Sequence, residues 1–417
     1  MRLLILVPQV PETLSEESPW HFFQEVRPLS EAGCEIKIVN GVKPDYQIRD
    51  VEIEKLEVGR LSLATLLARM PWSALRYIDP LPKPRTKKDL RSLAILLMMT
   101  REIYENIREF EPDIIHSHWA YPRGSAGYLA AIATKTPLVM SLRGHEHNKS
   151  GRMQYGSCLN RFYERTLTLA LRHSSRITIC CSDSLRRVEE LDVASVSKCR
   201  WVYHAVNRDR FKFEPLVAAK LKDTYGLQGR RVIGCIAILD HEIKGHKTLI
   251  LAFAKLLATH PDAVLMLVGD GPLRANLEAL VENLGIGKSV MFIGSIHPEE
   301  VKDYISLSDL TVLPTHCEVF GNVVFESLVM GVPVISGSAG AAKDVLPKGP
   351  YGLVFKSGSV SECCSSMMKI LDNYRIYKDY ATAGQQFVLR EMSLEKRVQG
   401  LLSVYSECLN FIPAMRN

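Results

Sequence analysis

The chain predicts an α/β protein built from two doubly wound parallel-sheet domains, and three observations carry that expectation. Its 417 residues exceed what one hydrophobic core ordinarily organises. Short apolar runs alternate with helical patterns along the chain, as in parallel sheets closed by crossover helices. One stretch, Asp309 to Val345, shows the repeating unit most fully. An apolar run, Leu310 to Leu313, is stopped by Pro314 and followed by a polar loop, Thr315 to Glu318. A helix is expected over Val323 to Met330, with Asn322 as N-cap and Gly331 as its stop, and then a strand over Val332 to Ile335.

The elements follow in order. Arg2 to Val7 predicts the first strand, residues 19–32 a helix, and Glu35 to Val39 the second strand. Residues 60–103 mix Leu, Met, Trp72 and Tyr77 with basic residues. Two readings fit them: an amphipathic surface for an anionic membrane or lipid-linked acceptor, or two core helices joined by a Pro-rich loop. Pro112 to His118 predicts a strand, on which His116 and His118 should alternate between core and loop. A helix from Gly124 to Ala133 leads to a strand over Pro137 to Leu142 and the polar turn Arg143-Gly144-His145-Glu146. Residues 158–172 predict a helix and Arg176 to Cys181 a strand, with the hinge expected near 205–215. Beyond it come a strand at Val232 to Ile238, the loop Lys244-Gly245-His246, a helix from Thr248 to Thr259, and strands at Val264 to Val268 and Val290 to Ile293. A helical tail is expected over 385–412.

Composition narrows the function classes. Apolar residues make up 47% and charged residues 24%, as in folded globular proteins rather than disordered chains. The first apolar run is seven residues long before Pro and acids, which predicts a strand and not a signal peptide. The ten cysteines include no Cys-x-x-Cys, so buried thiols in a reducing compartment are expected, and with them a cytoplasmic protein. Net charge is +6, of which +5 lies in residues 1–200 (29 Lys and Arg against 24 Asp and Glu). The segment Arg60 to Arg91 has eight basic residues against Asp79 and Asp89, so peripheral association with the inner face of a membrane is a second placement. The chain has no P-loop, no Gly-x-Ser-x-Gly elbow and no Asp-x-Asp. It also has no aromatic–basic interleaving of the kind that binds nucleic acid, and no nucleic-acid partner is expected.

The chemistry concentrates at the loop before the helix at 323. A helix start offers unpaired backbone amides and a positive dipole end, so the amides of Asn322, Val323 and Val324 are candidates for holding an anion. Glu318 and Glu326 flank that turn, and carboxylates accept hydrogen bonds from sugar hydroxyls. The spacing Glu318-x7-Glu326, set in E-x-F-G-N-x-x-x-E-S-x-x-x-G-V-P-V-I, resembles the family 4 retaining glycosyltransferases of the GT-B fold. The likeness is strongest over Val232 to Leu353.

That resemblance implies two facing Rossmann-like domains, an acceptor-binding one over 1–207 and a nucleotide-sugar-binding one over 208–385. A helical tail over 386–417 would cross back to pack on the first domain. Glu326 would bind the nucleotide ribose, and Glu318 would face the donor sugar. Gly321, Asn322 and Val323 would contact sugar hydroxyls and diphosphate, Lys244 would hold the diphosphate, and the main chain near Ile296 would seat the base. The turn Arg143 to Glu146 resembles the family's H-G-x-D, with Arg143 at the His position, Glu146 at the Asp position and His145 at the variable one. Either Arg143 or His145 would serve the leaving phosphate or the acceptor, with His118 and Glu146 on the acceptor side.

Two departures stand out. The first loop lacks the glycine pair of relatives, and Ile238 or Leu239 occupies the place of a diphosphate-binding arginine, with His241 as a substitute.

The function implied is transfer of a sugar from a nucleoside diphosphate sugar to a sugar or lipid-linked hydroxyl acceptor, with retention. It would need neither metal nor cofactor, and would serve synthesis of a cell-envelope polysaccharide or glycoconjugate. A nucleotide-sugar epimerase or sugar phosphorylase on the same fold, or a non-catalytic sugar-nucleotide binder, are the alternatives.

Overall fold

Leu3 to Leu6, Ile114 to His118 and Leu138 to Ser141 are short strand runs buried on both faces, which is the pattern that crossover helices on either side of a parallel sheet demand. A computed structural model describes residues 1–7, 23–40, 51–55, 81–145, 147–151 and 153–410. By its internal contacts the chain divides into two compact units, Met1–Val202 with Arg397–Asn417, and Tyr203–Lys396.

The first unit holds β1 (Arg2–Leu6), β2 (Glu35–Asn40), β3 (Val51–Lys55), β4 (Ile114–His118), β5 (Leu138–Ser141), β6 (Arg176–Ile179) and β7 (Cys199–Trp201). They form one sheet in the order β3-β2-β1-β4-β5-β6-β7, and every pairing is parallel. The crossovers include α1 (Phe23–Glu31), α2 (Lys87–Phe110), α3 (Ser125–Thr134), α4 (Arg161–His173) and α5 (Ser182–Leu191). Helix α2 starts at a capping box, in which the Thr86 side chain accepts from the Asp89 amide and the Asp89 carboxylate accepts from the Thr86 amide. It buries Leu96, Leu97, Ile103 and Ile107, so this part of the 60–103 segment is core helix. Residues 56–80, which carry the rest of that segment with Trp72 and Tyr77, lie outside the described residues.

The second unit repeats the plan with β8 (Arg231–Ile236), β9 (Ala263–Val268), β10 (Val290–Gly294), β11 (Leu310–Leu313), β12 (Val334–Gly337) and β13 (Leu353–Phe355). The parallel order is β10-β9-β8-β11-β12-β13. Its helices are α6 (Pro215–Thr224), α7 (His246–Leu256), α8 (Arg274–Asn283), α9 (Val301–Leu307), α10 (Asn322–Val329), α11 (Gly340–Val345), α12 (Val360–Asp372) and α13 (Tyr374–Glu391). Strand β9 shows how the sheet is filled. Ala263, Leu265 and Leu267 pack with Phe253 and Leu249 on one face, while Val264, Met266 and Val268 pack with Tyr304 and Leu307 on the other.

The last helix, α14 (Leu394–Asn410), buries Arg397, Val398, Leu401, Val404, Tyr405 and Cys408, a single stripe at helical spacing. From Arg397 on, the chain groups with the first unit. The first domain was expected to end at 207 and the tail to begin at 386, whereas the units part after Val202 and rejoin at Arg397. Residues just past Val202 are already tied to the second unit: the His204 ring packs 4.7 Å from Phe320, and the Val206 amide donates to the Met392 carbonyl at 2.8 Å. Helix α13 runs through Glu391, six residues past the expected domain end.

Both sheets reverse their winding once. In the first the neighbours β1 and β4 mark that point, and in the second β8 and β11 do. Loops leaving the carboxyl ends of such a strand pair form a crevice suited to ligands.

Candidate functional site

In the second unit, the loops after β8 and β11 bring Lys244 and Glu318 together, although 74 residues separate them. The Lys244 Nζ donates to Glu318 Oε2 at 3.0 Å, and Glu318 Oε1 accepts from the Val319 amide at 3.0 Å. Gly245 makes the approach possible. It sits at φ +73, and a Cβ there would lie 2.0 Å from the Pro314 carbonyl oxygen. Burial alone would lower the Lys244 pKa, but the charge and hydrogen bond of Glu318 more than offset it and raise the value. Lys244 is therefore a fixed cation with its partner carboxylate at the switch point of the sheet.

The turn into α10 differs from expectation in one residue. Gly321, at φ +80 and ψ +61, stands at the cap, and Asn322 is already the first helical residue. A left-handed glycine turns the chain from loop to helix in one step, so no β-region Asn cap is needed. The Val324 amide is committed to the Gly321 carbonyl at 3.0 Å, so the third expected anion-binding amide is spent inside the turn. Asn322 and Val323 remain half-buried at the helix start.

Glu326, one turn into α10, is 7% exposed. Among the described residues no side chain or amide donates to its carboxylate. Burial pushes its pKa up to about 7, against the opposing charge of Arg210. Unlike Glu318, it is a buried acceptor to which no described residue donates.

Arg210 escaped the sequence reading. Its side chain is 9% exposed, its Nη2 donates to the Pro298 carbonyl at 2.5 Å, and it lies 3.6 Å from Glu299 Oε1. It lies within the 205–215 stretch expected to hold the hinge, directly before the buried Phe211. Ile296, near that same Pro298 turn, is half-buried and packs with the Val232 and Met266 side of the core.

The residues at the place of the missing arginine, and the expected substitute His241, differ in their surroundings. Leu239 is fully buried, Ile238 is 54% exposed, and His241 caps the short turn Glu242–Lys244 by accepting from the Ile243 amide through Nδ1 at 3.2 Å. Through that bond His241 shapes the loop that carries Lys244. His246, on the far side of Gly245, is 2% exposed, and burial together with the Lys244 charge lowers its pKa to about 4.

In the first unit the corresponding switch point, between β1 and β4, gathers a closed charge cluster. His116 and His118 were expected to alternate between core and loop, yet both are buried. His116 bonds Tyr405 Oη through Nδ1 at 2.7 Å and Ser141 Oγ through Nε2 at 2.8 Å, and Ser141 continues to Thr178 at 2.6 Å. His118 meets Glu25 Oε1 through Nε2 at 3.1 Å and Arg143 Nη2 through Nδ1 at 2.5 Å. Arg397 closes the cluster from α14 with its Nε on Glu25 Oε2. Burial would raise the Glu25 pKa, but Arg397, the His118 hydrogen bond and Arg143 together hold it well below the usual carboxylate range. Burial, with the Arg143 charge, lowers His118 to about 4.

Glu25 and Arg397 were also missed by sequence. Each is a charged residue within a buried apolar stripe, Glu25 beside Val26 and Leu29, and Arg397 beside Val398 and Leu401. Of the residues expected at the H-G-x-D position, Arg143 joins the cluster and lies 5.9 Å from the centre of the Trp119 ring. His145 is exposed and bonds Ser157 Oγ at 3.1 Å, away from the cluster. Glu146 lies outside the described residues.

Both units have relatives among known proteins. Residues 219–387 match the family model of glycosyl transferases group 1, and residues 21–200 match that of the glycosyl transferase 4-like domain. The chain is 27% identical over 300 residues to N-acetyl-alpha-D-glucosaminyl L-malate synthase of Bacillus anthracis, covering 71% of this chain and 75% of that protein. It is 29% identical over 191 residues to the GDP-mannose-dependent alpha-(1-6)-phosphatidylinositol monomannoside mannosyltransferase of Mycolicibacterium smegmatis, 44% of this chain and 50% of that one. Among solved structures, Anabaena HepE in complex with UDP and glucose shares the fold with a TM-score of 0.73 at 18% identity, over 97% of this chain and 99% of that one. Sucrose-phosphate synthase from Thermosynechococcus elongatus shares it with a TM-score of 0.75 at 16% identity, over 98% and 99%. The two matched models fall one on each unit, and each unit carries the doubly wound sheet that these structures share. The chain belongs to the family 4 glycosyltransferases, with the GT-B fold.

Proposed function

We propose that the protein moves a sugar from a nucleoside diphosphate sugar to a hydroxyl acceptor with retention of anomeric configuration, without a metal ion. The observation that carries this reading is the contrast beside one sheet switch point: a fixed cation, Lys244, and a buried carboxylate without a donor among the described residues, Glu326. A nucleoside diphosphate sugar presents both complements, negative diphosphate oxygens and a hydroxyl-bearing ribose.

In this reading Lys244 and the first amides of α10 take the diphosphate charge, which grows as the glycosidic bond breaks. Glu326 accepts from the ribose hydroxyls. Glu318, steadied by Lys244 and the Val319 amide, accepts from the donor sugar. The bond from the anomeric carbon to the diphosphate breaks while the acceptor oxygen bonds that carbon from the same face, and the acceptor proton passes to the leaving diphosphate. Retention rests on the family resemblance. Arg143 and His118, set by Glu25, supply the acceptor side. HepE was solved with UDP and glucose, which makes UDP-glucose the first donor to try.

Among the described residues no helix is long and apolar enough to cross a membrane. We place the activity in the cytoplasm, with a sugar or lipid-linked acceptor of a cell-envelope glycan or glycoconjugate. The test is release of nucleoside diphosphate from each nucleotide sugar, in the presence of EDTA and a panel of glycoside acceptors, followed by product anomer analysis by NMR. Turnover that survives EDTA, is lost in Glu326→Ala and yields the donor's anomeric configuration meets the proposal. An inverted product or a strict metal requirement contradicts it.

A further inference from the structure

The first unit carries a second concentration of charge, outside the residues assigned to sugar transfer above. A surface cavity of about 460 Å³ opens between the start of α2 and the start of α4, and five cations line it: Lys83, Arg85, Lys88, Arg161 and Arg165. Its one acid, Asp89, is already spent. Asp89 Oδ2 accepts from the Arg85 and Thr86 amides, both at 3.1 Å, and Oδ1 accepts from Asn160 Nδ2 at 3.2 Å. None of the five cationic side chains is engaged in an ion pair or hydrogen bond among the described residues, although most other arginines of this unit, such as Arg101, Arg172, Arg176 and Arg187, have acidic partners.

Holding five unpaired cations around one concavity costs mutual repulsion that an anion would relieve. Helix geometry adds to the field, because both bordering helices point their N-termini at the site. Thr86 caps the 24-residue α2, and Asn160 caps the 13-residue α4 by accepting from the Phe162 amide at 2.7 Å. Asn160 also joins the two caps through Asp89, so the cavity walls are fixed to each other rather than hanging from separate loops.

We propose that this cavity is a binding site for a phosphate group borne by an acceptor or effector, separate from the nucleotide-sugar residues of the second unit. The volume exceeds that of a bare phosphate and fits a phosphomonoester or diphosphate with part of its scaffold. Arginine supplies the forked, planar donors that suit phosphate oxygens, and three of the five cations are arginine. Exposed Leu90 and Leu159 adjoin the site, so the phosphate source is either a soluble phosphorylated compound or a lipid headgroup. The recognition chemistry is the same for both.

The experiment uses the full chain and two variants, Arg161→Gln/Arg165→Gln and Lys83→Gln/Lys88→Gln, which alter only exposed or half-buried surface side chains. Glycerol 3-phosphate and inorganic pyrophosphate are titrated calorimetrically at constant ionic strength set with chloride. In parallel, flotation is measured with phosphatidylcholine vesicles with and without phosphatidic acid. The proposal expects binding in at least one arm, weakened about tenfold or more in each double variant. Titration of the soluble probes identifies a free phosphorylated ligand, and vesicle binding alone identifies a headgroup. Binding that is equal in wild type and both variants, or absent from both arms in the wild type, overturns it. The UDP-induced rise in Tm, read on the same samples, reports the second-unit residues independently, so failure of this site and failure of the transferase reading remain distinguishable.

Discussion

The two units share one strand order around the switch point, yet they treat a buried glutamate there in opposite ways. In the first unit Glu25 is surrounded by Arg397, His118 and Arg143, and its pKa is held low. In the second, Glu326 has burial without a donor among the described residues, and its pKa rises to about 7. A carboxylate whose charge is fully met by its own chain serves to hold other groups in place. One left unmet retains the capacity to bind, at a cost to folding. The comparison separates a carboxylate met by its own chain from one that is not, a distinction that spacing in sequence does not carry.

The sharpest way to break that comparison is to remove each partner in turn. Glu25→Ala leaves Arg397, Arg143 and His118 buried around a missing charge, and should destabilise the protein by roughly 3–5 kcal/mol, read by chemical denaturation. The dependence on pH follows from the sign of the shift. A carboxyl whose folded pKa is depressed contributes stability above its unfolded value and loses it as pH falls, so wild type should lose more stability on acidification than the variant does. If Glu25→Ala melted like wild type, the closed cluster would not be holding the first unit together.

Glu326 should show the reverse slope. Its folded pKa of about 7 lies above the ordinary 4.5, so the folded state keeps a proton that the unfolded chain has released. Stability therefore falls as pH rises between those values, by roughly 3 kcal/mol in all. Glu326→Gln should remove that part of the slope while leaving the protein at least as stable as wild type at pH 8. Unfolding curves at pH 5 and pH 8 measure it, and a variant less stable than wild type at pH 8 would contradict the unpartnered reading.

Two smaller effects sharpen the contrast. Lys244→Met should weaken nucleoside diphosphate binding about 10-fold to 100-fold by deleting a charge-assisted contact, with calorimetry as the readout. Tyr405→Phe removes the α14 hydroxyl that meets His116 and should cost about 1–2 kcal/mol, without changing nucleotide affinity.

Much of this was legible in the sequence where local chemistry dictates structure. The β11-α10-β12 unit was readable from Leu310–Leu313, Gly331 and the apolar run after Pro333, because buried parallel strands and helix stops leave strong local patterns. The pairing of Lys244 with Glu318 agreed with their shared place at the site, although only the tertiary fold puts 3.0 Å between them. What escaped was charge hidden in apolar stripes. Glu25, Arg397 and Arg210 each sit on helices or linkers whose neighbours read as core, and their partners are up to 372 positions away. The Asn322 cap was misplaced by one residue because a left-handed Gly321 satisfies the turn as well as a side-chain cap does.

The most direct test of the account is the thermal shift given by UDP, GDP, ADP and their sugars to the wild type and to Glu326→Gln at pH 8, with EDTA present. A ligand that binds only the folded state must raise Tm. The account predicts that one nucleotide and its sugars shift the wild type, and that the shift is lost or sharply reduced in Glu326→Gln, whose own melt is no lower. An equal shift in the variant, or no shift from any nucleotide in the wild type, would contradict it.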